Sequence, residues 1–431
     1  MTIGWLSFAY ALSISFPIIA ADKLPETGKQ FPALVSFDEL MRKFVRENNI
    51  PGAALAVAKD GRMVYARGFG YADREKNKHV QPESLFRIAS ISKPLTAVAI
   101  MQLVEKGKLN LEDKVFSILP HKAHLATGTK IDPGLAKITI QQLLQHQGGW
   151  DRARSFDPMF RSVKIAKTLG VNPPAKADDI IRFMMGRELD FPPGSQFAYS
   201  NFGYCLLGRV IEQVSGSDYE KYMRGEVLKP LGIYSMHIGR SLLKNRAKDE
   251  VRYYTRNNST AIAIMGKYIG KPVLRPYGAW HLEAMDSHGG WIASAVDLVR
   301  FGSAVEHFNS SKVLTKKSIS KMVARPKGIA GHDKTGKPKA AYYGLGWAIR
   351  PVRNTGKFNR WHSGGLDGTS TILVLRHDGI CWAVLFNTRL TVDGQAPSNK
   401  IDSLIHSAAN SIKEWPKHDL FEQEKTKREY P

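Results

Sequence analysis

The chain has 431 residues, of which 43% are hydrophobic and 23% charged, and its formal net charge is +23. This composition is that of an ordinary globular protein, and it excludes a repeat or low-complexity protein. The basic residues form no dense block and show no zinc or helix-turn-helix spacing, which argues against a nucleic-acid partner. An anionic cell-envelope polymer fits the charge better, and a solvated surface without such a partner is the simpler alternative.

The N-terminal segment carries no charge from Ile3 to Ala21. This pattern predicts a signal peptide over residues 1–21 and therefore a secreted or periplasmic protein. A retained membrane anchor is the alternative, because about 20 apolar residues suffice to span a bilayer. Two cysteines are too few for a disulfide framework, so we expect Cys205 and Cys381 to be buried free thiols, with pairing left open.

The hydrophobic pattern predicts strands near both ends of the chain and helices between them. The first elements are a helix over 37–48 and a hairpin over 53–70 that turns at Asp60-Gly61. The helices that follow are predicted over 96–104, 139–147, 178–185 and 204–214. A further helix is predicted to start at residue 291 and to run through 297–308. The last elements are strands over 343–349, 360–365, 370–375 and 380–387 and a helix over 398–413.

This order predicts an α+β fold, in which an antiparallel sheet flanked by helices contains an inserted all-helical subdomain. The α/β subdomain would comprise residues 33–115 and 286–412. The mainly helical subdomain would comprise residues 116–285, and a charged tail residues 413–431.

A serine and a lysine lie three residues apart just before the predicted helix over 96–104, in the sequence Ser90-Ile91-Ser92-Lys93. If the helix begins near Ser90, the two side chains lie one turn apart on the same face. A serine hydroxyl needs a base to take its proton, and a desolvated lysine can be that base because desolvation lowers its pKa. The spacing therefore predicts a nucleophile and its base.

The same Ser-x-x-Lys pattern also occurs at residues 241–244 and 318–321. The first lies in a basic stretch that we expect to be exposed, and the second on a lysine-rich helix face. Only Ser90 is followed by a helix apolar enough to be buried, so Ser90 is the predicted nucleophile.

Two further motifs follow in order, Tyr199-Ser200-Asn201 on a predicted loop and His362-Ser363-Gly364 on a predicted strand. With these motifs the chain resembles the penicillin-recognising serine hydrolases, which include class C β-lactamases, D-Ala-D-Ala carboxypeptidases and family VIII esterases. Matching flanks extend the resemblance from about residue 35 to residue 412. The resemblance implies a β-lactamase/transpeptidase-like fold.

The third motif has competitors. His-x-Gly also begins at His146, His288 and His377, and a literal Lys-Thr-Gly begins at Lys334. His362 is favoured because it follows the strand predicted over 343–349, as the family's motif does. The stretch after Lys334 contains a proline and reads as a loop. We interpret His146 and His288 as turn or packing histidines.

The resemblance implies the catalytic roles. Ser90 would attack a carbonyl and carry the acyl group. Lys93 and Tyr199 would share the proton transfers, and which of the two is the base stays open. Neither a metal nor a cofactor is needed, because an oxyanion hole supplies the electrophile.

The resemblance also implies the substrate-binding residues. Asn201 would donate its amide to the acyl part of the substrate, and His362 would lie beside Tyr199 on the leaving-group side. The backbone N–H groups of Ser90 and Gly365 would form the oxyanion hole. Gly364 and Gly365, on the strand of the third motif, would complete the set of substrate-binding residues. We further expect His362 to become charged in mildly acidic solution and to make recognition of a substrate carboxylate depend on pH.

Two classes of function fit these motifs. The first is a serine hydrolase that acts on an amide, ester or β-lactam carbonyl of a small-molecule or peptide substrate. The second is a non-catalytic binding or self-assembling scaffold that retains the fold. The intact motifs favour the enzyme, and they leave the natural substrate and the oligomeric state open.

Overall fold

The computed structural model describes residues 24–306, 313–352 and 355–422, so the predicted signal segment and the end of the predicted tail lie outside the described residues. The strands of these ranges are β1 Glu26–Thr27, β2 Gly52–Lys59, β3 Arg62–Asp73, β4 Lys78–His79, β5 Phe86–Arg87, β6 His237–Ile238, β7 Thr260–Ile262, β8 Pro272–Leu274, β9 Trp291–Ala293, β10 Tyr342–Tyr343, β11 Ala348–Pro351, β12 Phe358–Leu366, β13 Thr369–Leu375 and β14 Ile380–Phe386. The α-helices are α1 Val35–Glu47, α2 Ser92–Glu105, α3 Val115–Ile118, α4 Ile140–Leu144, α5 Ser162–Leu169, α6 Ala177–Met185, α7 Asn201–Ser215, α8 Tyr219–Tyr222, α9 Ala295–Glu306, α10 Lys316–Val323 and α11 Pro397–Asn410.

An antiparallel sheet forms the centre of the described structure, with strand order β1-β3-β2-β14-β13-β12-β11-β10 and β4 paired with β3. The predicted hairpin is confirmed as β2 and β3. Its turn residues Asp60 and Gly61 have φ values of 50° and 79°, the left-handed conformation that a two-residue hairpin turn requires. Strand β2 also pairs with β14, which joins the first part of the chain to the last.

Both faces of this sheet are buried. Ala53, Leu55 and Val57 of β2 belong to an apolar cluster beneath α1 and α11. The alternating residues Ala54 and Ala56 belong to the larger cluster that contains α2, α7 and α9. Because successive strand residues point to opposite faces, β2 reads as a continuous run of buried small and apolar residues.

The helix that follows Ser90 is buried on every side. From Ser92 to Leu103 all residues of α2 are buried, as the apolar sequence predicted. It contacts α7 and the short π-helical turn Asp286–Gly290. The strand pair, the helices and the returning strands thus give the α+β arrangement expected from the sequence.

Three element predictions are wrong in detail. The single strand over 343–349 is two strands, β10 and β11, because Gly346 has a φ of 83° and the chain turns there. Helix α7 begins at Asn201, since Ser200 caps it, so Asn201 is not in a loop. Residues 291–293 form β9, and the helix after it begins at Ala295. Its predicted end at residue 308 lies outside the described residues.

Cys205 and Cys381 are free and buried, as expected. Cys205 lies in α7 and Cys381 in β14. In the described ranges no helix is long and apolar enough to cross a membrane.

Candidate active site

Ser90 lies in a tight turn between β5 and α2. The turn spans Ala89–Ile91, and Ala89 has a φ of 47°, a left-handed conformation that is costly for a residue with a Cβ. The hydroxyl of Ser92 donates to the Ala89 carbonyl at 2.7 Å. The hydroxyl of Thr371 on β13 donates to the carbonyl of Ile88 at 3.0 Å. These bonds fix the backbone that presents Ser90.

Lys93 is fully buried, and its Nζ has three polar neighbours. The Ser90 Oγ lies at 3.2 Å, the Asn201 Oδ1 at 2.8 Å and the carbonyl oxygen of His288 at 2.9 Å. Burial holds the pKa of Lys93 well below its usual value. A neutral amine therefore fits this position, because it can donate to the two carbonyl oxygens and keep a lone pair for the Ser90 hydroxyl.

The Tyr199 side chain lies beside both Ser90 and Lys93, and a hydrogen bond links its hydroxyl to that of Ser90. The Lys93 Nζ lies 4.7 Å from the centre of the Tyr199 ring, and the Arg152 guanidinium 5.0 Å from it. Burial raises the pKa of Tyr199, so the phenol stays protonated. Tyr199 can pass a proton on but is poorly suited to remove the first one.

Asn201 is oriented by a carboxylate that the sequence did not reveal. The Asn201 Nδ2 donates to Asp157 Oδ2 at 2.6 Å, while its Oδ1 accepts from Lys93. Burial raises the pKa of Asp157. Asp157 lies between the helices predicted over 139–147 and 178–185, in a stretch whose sequence has no periodicity that would have indicated its position.

His146 packs among the aromatic residues that support the site. Its ring lies 4.3 Å from the Tyr199 ring and 4.5 Å from the Tyr343 ring, and its Nδ1 accepts from the Ser200 N–H at 3.2 Å. Its φ of 56° places it in a strained turn. The expected turn and packing role is confirmed, and the packing is against Tyr199 itself.

His362 is buried on β12 and is held neutral. Its Nδ1 donates to the Ser363 carbonyl at 2.8 Å, so its Nε2 accepts from the Tyr343 hydroxyl at 2.8 Å. Burial, with help from the Lys93 charge, lowers the pKa of His362 to about 3. The expectation that His362 becomes charged in mildly acidic solution is therefore wrong, since its protonation lies far below that pH range.

Gly364 and Gly365 let β12 approach both the Ser90 turn and an arginine. A Cβ on Gly364 would collide with the Ile88 carbonyl and the Thr371 hydroxyl, and one on Gly365 would collide with the guanidinium of Arg389. Glycine is required at position 364, where the obstructing atom is a backbone carbonyl, whereas the end of the Arg389 side chain beside Gly365 is flexible. The two residues thus lie beside the turn that carries Ser90.

Arg389 is a second residue that sequence analysis missed. It follows β14 and is partly buried, and burial lowers its pKa while Asp367 attracts and Arg152 repels its charge. In the part of the chain that the structure describes, no acceptor reaches its guanidinium within hydrogen-bonding distance. A desolvated guanidinium with free donors is suited to an anionic ligand.

The competing motifs lie in other environments. The expected exposure of Ser241 is wrong, because its side chain is buried and its hydroxyl donates to Glu283. Ser318 is buried in the first turn of α10, where its N–H is capped by Thr315. Lys334 lies in an exposed turn closed by Asp333. Among the four histidines that begin a His-x-Gly sequence, His362 lies on a strand that passes the Ser90 turn. His288 contacts the site through its backbone carbonyl, which accepts from Lys93.

Chemically, the site combines a hydroxyl, a buried amine, a phenol and a glycine-lined strand, a set suited to acyl transfer. Across residues 24–306, 313–352 and 355–422, no group of three histidine, cysteine or acidic side chains could hold a metal ion. The structure brings together six of the residues named from the sequence: Ser90, Lys93, Tyr199 and Asn201 by hydrogen bonds, and Gly364 and Gly365 by the approach of β12 to the Ser90 turn. His362 joins them through Tyr343 and His146.

This fold, together with these motifs, is a serine hydrolase fold, and comparison with known families identifies the family. The Beta-lactamase family model matches residues 37–403. The chain therefore belongs to the Beta-lactamase family, and its fold is β-lactamase/transpeptidase-like.

Its relatives are distant. "Protein flp" of Staphylococcus aureus (strain N315) is 27% identical over 341 residues, which cover 78% of this chain and 59% of that protein. "Penicillin-binding protein 4*" of Bacillus subtilis (strain 168) is 29% identical over 327 residues, which cover 75% of this chain and 64% of that protein. The chain thus spans about three fifths of the length of these relatives. The octameric penicillin-binding protein homologue from Pyrococcus abyssi superposes with a TM-score of 0.64 and 27% identity, covering 89% of this chain and 78% of that one.

Proposed function

We propose that the protein hydrolyses an amide, ester or β-lactam carbonyl through an acyl group carried on Ser90. One observation carries the proposal. The Lys93 Nζ lies 3.2 Å from the Ser90 Oγ and has two carbonyl oxygens as its other polar neighbours. Two acceptors and one hydroxyl match the two N–H groups and one lone pair of a neutral amine, which is a base.

In the first step, the Ser90 hydroxyl gives its proton to Lys93 while its oxygen bonds to the substrate carbonyl carbon. The carbonyl π electrons move to oxygen, and the resulting oxyanion accepts from the N–H groups of Ser90 and Gly365, each worth about 3 kcal/mol of barrier. The intermediate then breaks its bond to the leaving group, which takes a proton that Tyr199 relays from Lys93. In the second half of the reaction, water gives a proton to the same groups and attacks the acyl-serine. The acid is released as the Ser90 oxygen takes a proton back.

We propose that the preferred substrate carries an anionic group near the scissile carbonyl. The neutral state of His362 leaves the third motif without a positive charge. Arg389, beside Gly365, supplies a partly desolvated one, and Arg152 adds to the positive field. The relatives named as penicillin-binding proteins agree with such a substrate, since penicillins carry a carboxylate.

The proposal is tested by labelling the protein with a fluorescent penicillin and with a fluorophosphonate and mapping the adduct by peptide mass spectrometry. We expect the adduct on Ser90, with none on Ser90→Ala. A Ser318→Ala variant, which removes a hydroxyl from a competing motif, should label like the wild type. Labelling of Ser90→Ala equal to that of the wild type would contradict the proposal. No adduct from any acylating probe would favour the non-catalytic scaffold.

A further inference from the structure

The hairpin formed by β7 and β8 lies in a basic segment of the chain. The segment of residues 251–282 that contains it has no aspartate or glutamate. It carries five basic residues, namely Arg252, Arg256, Lys267, Lys271 and Arg275. Lys267 and Lys271 are exposed in the loop that joins the two strands.

The end of this hairpin is also apolar and exposed. Ile262, Tyr268 and Ile269, called here the apolar tip, are 58%, 46% and 42% exposed. Ile262 pairs with Pro272 at the last rung of the ladder, and Tyr268 and Ile269 lie in the loop beyond it. The Lys271 N–H donates to the Tyr268 carbonyl at 2.9 Å, which keeps a cation next to the tip.

The base of the hairpin is fixed to the body of the protein. Leu274 packs against the main apolar core and pairs with Thr260 at the first rung of the ladder. In the connecting loop, the Ile264 N–H donates to the Gly278 carbonyl at 2.8 Å. Arg275 lies 3.7 Å from Asp367, the residue that follows β12. The base of the hairpin thus lies next to the strand that lines the candidate active site, and the side chains of the apolar tip are exposed.

From this arrangement we propose that the hairpin docks the protein on an anionic lipid bilayer. The apolar tip would enter the boundary between headgroups and acyl chains, while Lys267 and Lys271 contact anionic headgroups. A second copy of this chain would bring Lys267 and Lys271 of one hairpin against the same lysines of another, which disfavours self-association. A soluble anionic polymer would attract the cations but would leave the apolar tip in water. This proposal is independent of the proposed hydrolase activity.

The test uses the full chain with an environment-sensitive fluorophore on an introduced cysteine, since both native cysteines are buried. An Ile269→Cys protein carries the label at the tip, and an Ile131→Cys protein carries it at a site of similar exposure, 49%, on another surface. Vesicles contain either phosphatidylcholine alone or phosphatidylcholine with about one third phosphatidylglycerol. Because the label reports locally, binding through another part of the chain does not imitate the expected result.

We expect the label at position 269, but not at position 131, to shift to the blue and to be quenched by lipid-borne quenchers with the anionic vesicles only. Lys267→Gln/Lys271→Gln should weaken this signal at least about tenfold, while Lys316→Gln/Lys317→Gln, an exposed pair on α10, should leave it unchanged. Equal shifts at both positions, no shift at position 269, or a signal abolished equally by both lysine pairs would overturn the proposal. So would a soluble polyanion that produces the same shift without lipid.

A second pair of variants, measured by vesicle sedimentation, separates insertion from charge. The first variant, Ile262→Ser/Tyr268→Ser/Ile269→Ser, removes the apolar tip. The second variant, Ile131→Ser/Tyr234→Ser/Ile329→Ser, removes the same residue types from other exposed positions. The first should reduce binding to anionic vesicles at least about fivefold relative to the second. Equal binding of the two would show that the tip does not insert and would overturn the proposal.

Discussion

The Lys93 Nζ lies 3.2 Å from the Ser90 Oγ at the point where the turn Ala89–Ile91 leads into α2, a helix whose residues from Ser92 to Leu103 are all buried. Burial both brings the two groups together and lowers the pKa of the lysine. The same packing that stabilises α2 therefore also prepares the base. The predictions below follow from this relationship and from the groups around it.

Removal of the amine should abolish acylation. Lys93→Ala is expected to acylate about 100- to 10,000-fold more slowly, the usual contribution of a positioned base. A small primary amine added in solution should restore part of the rate, in proportion to its free-base concentration. In the wild type, the acylation rate should rise with pH as Lys93 loses its proton and become level at a pH well below the ordinary pKa of lysine, because burial lowers the pKa of Lys93. A loss of less than about threefold in Lys93→Ala would contradict this role.

The hydroxyl of Tyr199 should be needed for turnover but not for folding. Tyr199→Phe keeps the ring that packs on His146 and removes the link to Ser90, so we expect a loss of about 100- to 10,000-fold in kcat/KM. Tyr342→Phe is the control, since the Tyr342 hydroxyl donates to the Val323 carbonyl at 2.7 Å. It should lose about 1 kcal/mol of stability and retain its activity. Equal activities of the two variants would assign Tyr199 a packing role only.

Recognition of a carboxylate should not depend on the protonation of His362. The ratio of acylation by a carboxylate-bearing β-lactam to acylation by a neutral ester should stay level between about pH 8 and pH 5.5, because the pKa of His362 is about 3. The ratio removes the titration of Lys93, which affects both substrates. A ratio that rises as the pH falls would mean that His362 is protonated in this range. Lys334→Ala should leave the ratio unchanged.

Arg389 should set the preference for the carboxylate-bearing substrate. Arg389→Gln removes a partly desolvated charge beside Gly365, and a hydrogen bond to a charged group is worth about 1.5–3 kcal/mol. The same substrate ratio should therefore fall about 10- to 100-fold at every pH. Arg275→Gln removes one nearby cation whose partner is Asp367 and should change the ratio little. Equal effects of the two variants would indicate a general field rather than a contact.

The protein should lose stability as the pH falls below about 6.5, the ordinary pKa of histidine. Burial lowers the pKa values of His146, His288 and His362 in the fold. The unfolded chain therefore binds more protons than the folded one in this range, and the free energy of unfolding rises with pH. Urea unfolding at several pH values should show this slope, and His288→Gln should reduce it. A slope unchanged in His288→Gln would mean that His288 is not buried in the neutral form.

The sequence predicted the parts of the site that have local signals. Ser90 and Lys93 are three residues apart, and their helix is apolar, so their proximity follows from helix geometry. Tyr199 and His362 could be assigned only through the order of motifs, since their contacts are non-local. Gly346 shows the same limit in the fold, because an isolated glycine in a strand pattern does not reveal whether the strand bends or turns back.

Asp157 and Arg389 could not be predicted, for a physical reason. Asp157 lies in an irregular segment and reaches Asn201 across 44 positions of the chain. Arg389 reaches Gly365 because β12 and β14 are joined through β13. Neither contact has a spacing that a periodic pattern records, and both depend on how the loops pack.

The pairing of β2 with β14 has a consequence for how the protein forms. Ala58 and Cys381 lie opposite each other in the sheet although more than three hundred residues separate them. During synthesis, the early hairpin of β2 and β3 must wait with an unpaired apolar edge until the C-terminal strands emerge from the ribosome. Contacts of such long sequence separation slow folding, and exposed strand edges promote aggregation. Newly made chains are therefore expected to depend on chaperones that cover this edge until translation ends.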